Sequence, residues 1–170
     1  MFIGARVSSP MTCIALTSTS WYNIHMVSVR SATTEDIPYL ASECRRFADT
    51  LDFKYDYSPS DEALPGLLAY WMNHVLIVAE LDGNIAGMFG GEYCCHPWNP
   101  EMTVLVEHFW WVDPEARSKG VGKALLEEFI SRGSHCHAIK VHLENTSGVP
   151  DSFMERFGLR LKERTFIKEN

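Results

Sequence analysis

From Met26 onward the apolar positions switch repeatedly between a period of two and a period near 3.6, and each switch marks an element. Residues 27–32 alternate as a first strand. Thr34 then reads as a helix N-cap, with Glu35 and Asp36 in the first turn, where the helix dipole favours anions; Pro38 is early enough to be tolerated. That helix should run to about Asp49 and bury Ile37, Leu40, Ala41, Cys44, Phe47 and Ala48. A polar, tyrosine-containing loop covers residues 52–60, and a second helix over about 60–73 is disturbed by Pro65-Gly66. Residues 75–81 suit a buried strand, Asp82-Gly83 is a hairpin turn, and residues 84–93 return. Gly87, Gly90 and Gly91 weaken that return strand, so each marks a bulge or a close approach by another group. A loop carrying His96, Pro97, Trp98 and Pro100 leads to a central strand over about 103–112.

After this strand the period returns to 3.6, with Val121, Ala124, Leu125 and Phe129 on one helix face and Gly133 as its stop. Residues 137–144 alternate again, burying Ile139, Val141 and Leu143. A short helix from about Pro150 to Phe157 ends at Gly158 in a left-handed stop, and residues 159–167 make a last strand. The order is β-α-α-β-β-β-α-β-α-β, an α/β sandwich by its alternation of layers. Residues 1–25 follow neither period: they are Ser- and Thr-rich with Arg6 as their one formal charge. They are expected to be an extension outside the fold, or the result of a start codon placed too early, leaving a domain over 26–170. Their interrupted apolar runs do not make a secretory signal.

Between the central strand and the next helix the chain reads Val112-Asp-Pro-Glu-Ala-Arg-Ser-Lys-Gly-Val-Gly-Lys123. A glycine-rich loop opening into a helix aims unpaired backbone N–H groups at one point, and the helix dipole adds positive charge there. That is an anion site, to which Arg117, Lys119 and Lys123 add formal charge. Two phosphate motifs fail here. A nucleotide P-loop needs Ser or Thr after its lysine, where this chain has Ala124; the third glycine of a dinucleotide fingerprint would fall at Leu125.

The pattern Arg117-x-x-Gly120-x-Gly122, after a strand ending Val112-Asp-Pro114, resembles the GNAT superfamily of acyl-CoA-dependent N-acyltransferases. Arg30 to Ile37 resembles the start of many such domains, and Phe153-Met-Glu-Arg-Phe-Gly-Leu159 is similar to the family's Leu-Tyr-Glu-Lys-x-Gly-Phe helix. The resemblance implies a single mixed, mostly antiparallel sheet flanked by helices, and an acetyl-CoA-dependent N-acetyltransferase with no metal. It implies that Arg117, Ser118, Lys119, Gly120, Val121, Gly122 and Lys123 hold the cofactor's pyrophosphate, that the Trp111–Val112 backbone pairs with its pantetheine, and that Asn145 contacts it. The acceptor it implies is a primary amine on a small molecule or a protein.

Acetyl transfer to an amine needs a base for the amine proton and donors for the oxyanion. In the family the base is often a glutamate on the strand before the Val-x-Pro turn, where Glu107 and His108 stand here. An imidazole can serve as base near neutrality, whereas a carboxylate needs tuning or a water relay. Adjacent strand residues face opposite sides, so at most one faces the cleft unless the strand bulges; bulges are common here, which favours Glu107 narrowly. Met154 stands where the family's proton-donating tyrosine would, so the leaving thiolate must find another donor or solvent. That loss keeps open a GNAT-shaped protein that binds acyl-CoA for sensing, without turnover. Trp98, Tyr93, Phe109, Trp110 and Trp111 are candidates for an acceptor pocket, though such aromatics are more often core.

Composition narrows the surroundings. The chain of 170 residues suits one domain and carries a net charge of −7 without a basic tract, which argues against nucleic acid. No apolar run is long enough to span a membrane. Five cysteines, an odd number without a Cys-x-x-Cys spacing, read as reduced thiols in a cytoplasm. His135, Cys136, His137 and His142 cluster in sequence but lack a recognised ligand spacing, so no metal is expected. A homodimer is compatible with all of this.

Overall fold

In the computed structural model, which describes residues 25–51, 58–143 and 147–168, the strands lie in sequence order across one sheet. They are β1 (Val27–Ser31), β2 (Val75–Leu81), β3 (Asn84–His96), β4 (Asn99–Val112) and β5 (Ala138–Lys140). Every neighbouring pair is antiparallel except β4 and β5, so the sheet is mixed and mostly antiparallel. Asp82 and Gly83 join β2 to β3 with φ of 52° and 84°, the left-handed pair that a two-residue hairpin needs.

Alternation in β2 splits the core in two. Val75, Ile77 and Ala79 face α3 (Val121–Arg132) and α4 (Asp151–Glu155), packing with Phe89, Leu105, Leu125, Leu126, Phe129 and Met154. Leu76 and Val78 face the other way, against α1 (Ile37–Ala48) and α2 (Leu64–Met72), with Leu40, Leu68, Met88, Phe109 and Trp111. The helices thus flank a sheet buried on both sides. Among the described residues no helix is long and apolar enough to cross a membrane.

Several elements depart from the sequence reading. The N-cap is Thr33, not Thr34: residues 34–36 form a short 3₁₀ turn, and the Thr33 backbone N–H donates to the Asp36 carboxylate at 2.7 Å. Pro65 lies in the first turn of α2 and opens it rather than disturbing it. Pro97-Trp98 is a tight connection rather than part of a loop, since β3 continues to His96 and β4 already begins at Asn99. The strand expected over 137–144 is laddered only over Ala138–Lys140, with Ile139, Val141 and Leu143 half-buried. The last strand is absent: residues 159–168 join no ladder, and Phe166 is 93 % exposed. The reason is in the pattern, because the alternation of Leu159 and Leu161 breaks at Glu163 and leaves no continuous apolar face to bury. The loop expected over 52–60 and the extension over 1–25 lie almost wholly outside the described residues.

The sheet also breaks register at three points, one of them beside the β3–β4 turn between Cys95 and His96. Between β2 and β3, Ala79 faces Gly87 while Glu80 faces Ile85, leaving Ala86 unmatched. Between β3 and β4, Gly90 faces Phe109 while Gly91 faces Glu107, so His108 is the extra residue of a bulge. Glycine is required on the partner strand. A Cβ at Gly91 would come within 2.5 Å of the Val106 carbonyl oxygen, and one at Gly90 within 2.1 Å of the Phe109 ring.

Three stability predictions follow, two from glycines and one from an ion pair. Gly91→Ala should lower unfolding free energy in urea by about 1–3 kcal/mol through backbone overlap. Gly66→Ala, where nothing lies within 4 Å in helix α2, should raise it by up to about 1 kcal/mol. The third concerns Asp36, a buried carboxylate gripped by the Arg30 guanidinium at 2.8 and 2.9 Å, which holds it down from 3.8 to about 2. A depressed carboxyl contributes stability above its unfolded pKa and loses it as pH falls through the folded one. Asp36→Asn should therefore cost about 1–2 kcal/mol at pH 6, allowing for the half-exposed arginine, and flatten the acid limb between pH 4 and 2 in melts.

Candidate active site

β4 carries the residues picked out by sequence, and the bulge decides where each goes. Below it, Leu105 faces α3; above it, Trp110 belongs to the α3 side and Trp111 to the α1–α2 side. His108 and Phe109 both meet the Trp71 ring, at centroid distances of 4.6 and 5.7 Å, so two consecutive residues share one face. Glu107 is left beside β5.

Glu107 is 4 % exposed, and its carboxylate accepts the His142 backbone N–H at 2.8 Å. His142 Nδ1 lies 3.0 Å from the Glu107 carbonyl oxygen, and the carboxylate raises the His142 pKa above its ordinary value. The β4–β5 ladder ends at Val106 and Lys140, and Glu107 bridges the point where the strands part. Beyond it β4 continues to Val112 paired with β3 alone, so among the described residues its far edge is free of strand.

His108 takes the opposite side. Its side chain is 36 % exposed, and Nε2 lies 3.1 Å from a Glu92 carboxylate oxygen on β3. The other Glu92 oxygen accepts the Tyr70 hydroxyl of α2. That hydroxyl is the main cause, with His108 secondary to it, of a Glu92 carboxyl held below the usual range. The sequence reading missed Glu92 and Tyr70; the glutamate is visible only once the bulge sets β3 against β4.

Trp111 and Val112 lie at the end of β4. The Trp111 ring is buried, and its Nε1–H donates to Glu43 at 2.7 Å. Glu43 is itself buried in α1, and both of its oxygens accept from a single guanidinium nitrogen of Arg46, at 2.9 and 3.0 Å; the other terminal nitrogen reaches Asp113 at 3.4 Å. Sequence did hold a signal for Glu43, since it sits three residues after Leu40 on the helix face read as apolar. The ring of Trp111 therefore serves the core, and only its backbone remains to meet a ligand. Arg117 stacks its guanidinium 5.3 Å from that ring and donates Nε–H to the Val112 carbonyl at 3.3 Å.

The loop after β4 has a left-handed, turning backbone. Ser118 and Gly120 have φ of 65° and 89°, flanking Lys119. A serine in that region is uncommon, and alternation of this kind points successive N–H groups inward. Ala124 N–H is the first in α3 to bond back, to Gly120 O at 3.0 Å, so the amides of Val121, Gly122 and Lys123 make no intrahelical bond. Val121 buries its side chain and offers only its amide. Gly122 packs on Trp110 and Val112, whose atoms would stand 3.3 and 3.4 Å from a Cβ. Arg117 and Lys119 are exposed, whereas Lys123 spends its charge on Glu127 at 2.8 Å. Such a cradle fits an anionic group.

The remaining candidates separate from this site. Met154 is buried against α3 in the core. Tyr93 bonds the Arg132 carbonyl, and Trp98 is 91 % exposed at a hairpin tip, so neither forms a pocket with Phe109. Asn145 lies outside the described residues. No group of three potential metal ligands occurs among the described residues.

The sequence model of the Acetyltransferase (GNAT) family matches residues 41–158, from α1 through the anion loop to Gly158. The chain belongs to the GNAT acetyltransferase family. Solved structures agree on the GNAT fold. One similar structure is a ribosomal-protein-alanine N-acetyltransferase from Brucella melitensis biovar Abortus 2308, with 14% identity and a TM-score of 0.68 over 85% of this chain and 98% of that one. A glucosamine-6-phosphate N-acetyltransferase from Arabidopsis thaliana gives 17% identity and 0.64 over the same shares. A GNAT family acetyltransferase from Staphylococcus aureus subsp. aureus USA300_TCH1516 gives 21% and 0.59, again over 85% and 98%. No curated protein sequence matches the chain significantly.

The Glu43 network tethers this GNAT site to α1. Glu43→Ala should cost about 2–3 kcal/mol in urea unfolding, because the Trp111 N–H loses its acceptor inside the core. Glu43→Gln keeps an acceptor and should cost clearly less.

Proposed function

We propose that this chain transfers the acetyl group of acetyl-CoA to a primary amine by direct attack within a ternary complex. The observation that carries this reading is the left-handed Ser118-Lys119-Gly120 turn feeding unpaired amides of α3, in a chain of the GNAT family. The amides of Gly120, Val121, Gly122 and Lys123, with the side chains of Arg117, Ser118 and Lys119, hold the pyrophosphate. The free edge of β4 at Trp111–Val112 takes the pantetheine amides, and Asn145 is a further contact. The domain is residues 26–170 with the first 25 an extension, and it works in the cytoplasm; free thiols at Cys44, Cys94, Cys95 and Cys136 suit a reducing compartment.

Acetyl-CoA supplies an activated carbonyl carbon. His108 serves as the base, because Glu107 is buried and already committed to the His142 amide where the strands part. The amine nitrogen forms the new C–N bond, its proton passes to His108, and the C–S bond breaks to release thiolate. Solvent protonates that thiolate, since the buried Met154 has no proton to give. The amine is carried by a small molecule or a protein. Fold neighbours support both, one being named for an alanine of ribosomal proteins and another for an amino-sugar phosphate.

Thermal melting with and without acetyl-CoA tests the first half. At a hundredfold excess over Kd the ligand should stabilise by about 2.7 kcal/mol, or roughly 5–10 °C for a domain of this size. Arg117→Ala combined with Gly120→Glu, which strains the left-handed turn, should abolish most of the shift. No shift at millimolar acetyl-CoA in the parent chain would sink the reading. The second half is tested by release of free CoA on adding spermidine, glucosamine 6-phosphate, a lysine peptide or a peptide with N-terminal alanine. His108→Gln should slow the fastest of these by about a hundredfold at pH 7. Binding without amine-dependent release would support an acyl-CoA sensor instead.

A further inference from the structure

Glu92 is not part of the reading above, yet both of its oxygens are engaged at the bulge. One lies 3.1 Å from His108 Nε2, and the other accepts the Tyr70 hydroxyl. The His108 ring also packs at a tilt against Trp71, with centroids 4.6 Å apart and 43° between planes. His74 completes the surround by packing on Tyr70 at 4.7 Å. This is more than the bulge needs, because the register shift is already accommodated by Gly90 and Gly91.

We propose that Glu92 is a positioning residue that holds the proton of neutral His108 on Nε2 and so makes Nδ1 the nitrogen that accepts the substrate proton. This rests on the assignment of His108 as base. A carboxylate can only accept, so an imidazole nitrogen held against it favours carrying hydrogen, and the opposite nitrogen keeps its lone pair. The depressed Glu92 carboxyl keeps it an anion at neutral pH, with the Tyr70 hydroxyl as the main cause. Tyr70 also occupies the second oxygen, which leaves the first to His108 alone. The base is therefore built across three elements: the imidazole on β4, the carboxylate on β3 and the orienting hydroxyl on α2.

The first test needs no substitution. Long-range ¹H–¹⁵N NMR of the labelled full chain, with the ring assigned by loss of signal in His108→Gln, reads the tautomer directly. The Nε2–H form should dominate; a dominant Nδ1–H form overturns the proposal. Glu92→Gln replaces an obligate acceptor by an amide that can also donate, so the Nε2–H fraction should fall. Turnover with the fastest amine of the panel should fall about tenfold or more, with KM for acetyl-CoA within twofold. In the double variant with His108→Gln, activity should equal that of His108→Gln alone. Losses that multiply, or a Glu92→Gln enzyme with full kcat and an unchanged tautomer, refute a role through His108. Full activity in His108→Gln itself would instead remove the base assignment, while the tautomer still reports whether Glu92 orients the ring.

Discussion

One extra residue in β4 sets what the rest of the site can do. Without the bulge at His108, strict alternation would put Glu107 and Phe109 on one face and His108 on the other with Trp110. With it, His108 and Phe109 both turn to α2, Glu107 goes to the parting of β4 and β5, and Trp110 and Trp111 still reach their own cores. The bulge depends in turn on Gly90 and Gly91, since neither position has room for a Cβ. Two glycines on one strand thus determine the placement of two ionisable residues on the next.

The same strand end is tied down from the opposite direction. Trp111 bonds Glu43, Glu43 bonds Arg46, and Arg46 reaches Asp113, whose carboxylate also accepts the Glu115 N–H at 3.3 Å. A buried carboxylate is costly to desolvate, and it is tolerated here because one Arg46 nitrogen shared by both oxygens and an indole N–H satisfy it. The gain is geometric more than energetic: α1, the end of β4 and the start of the anion loop are held as one unit. Arg117 stacked on the same indole joins the loop's own charge to it.

Much of this was legible in the sequence because it depends on local rules. The Asp82-Gly83 hairpin, the buried strand β2, the glycine loop opening into α3 and the Gly158 stop each follow from residues near one another. The family resemblance added the sheet type, and the match over residues 41–158 bears it out. What failed was long-range or depended on a partner. The strand read over 159–167 needed a neighbouring edge and an unbroken apolar face, and Glu163 denies it the second. The Thr34 cap was one residue late because the Asp36 carboxylate selects Thr33. The choice between Glu107 and His108 is a separate case: the bulge allowed for in β4 is present, and only the pairing with β3 reveals its position. Glu92 carried no local signal at all.

The charge balance gives the anion loop its character. A chain at −7 repels a polyanion at long range, but physiological salt screens that field beyond about 8 Å. Attraction for an anion would then come from groups in contact. Lys123 contributes little of it, being paired with Glu127, and Lys119 stands within electrostatic reach of Asp82. Backbone amides carry no counter-ion and cannot be neutralised by neighbouring side chains, so they hold their aim regardless of surface charge. The left-handed turn at Ser118 and Gly120 is what fixes those amides in place. In an acidic protein the conformation of this loop therefore matters more than its count of lysines and arginines.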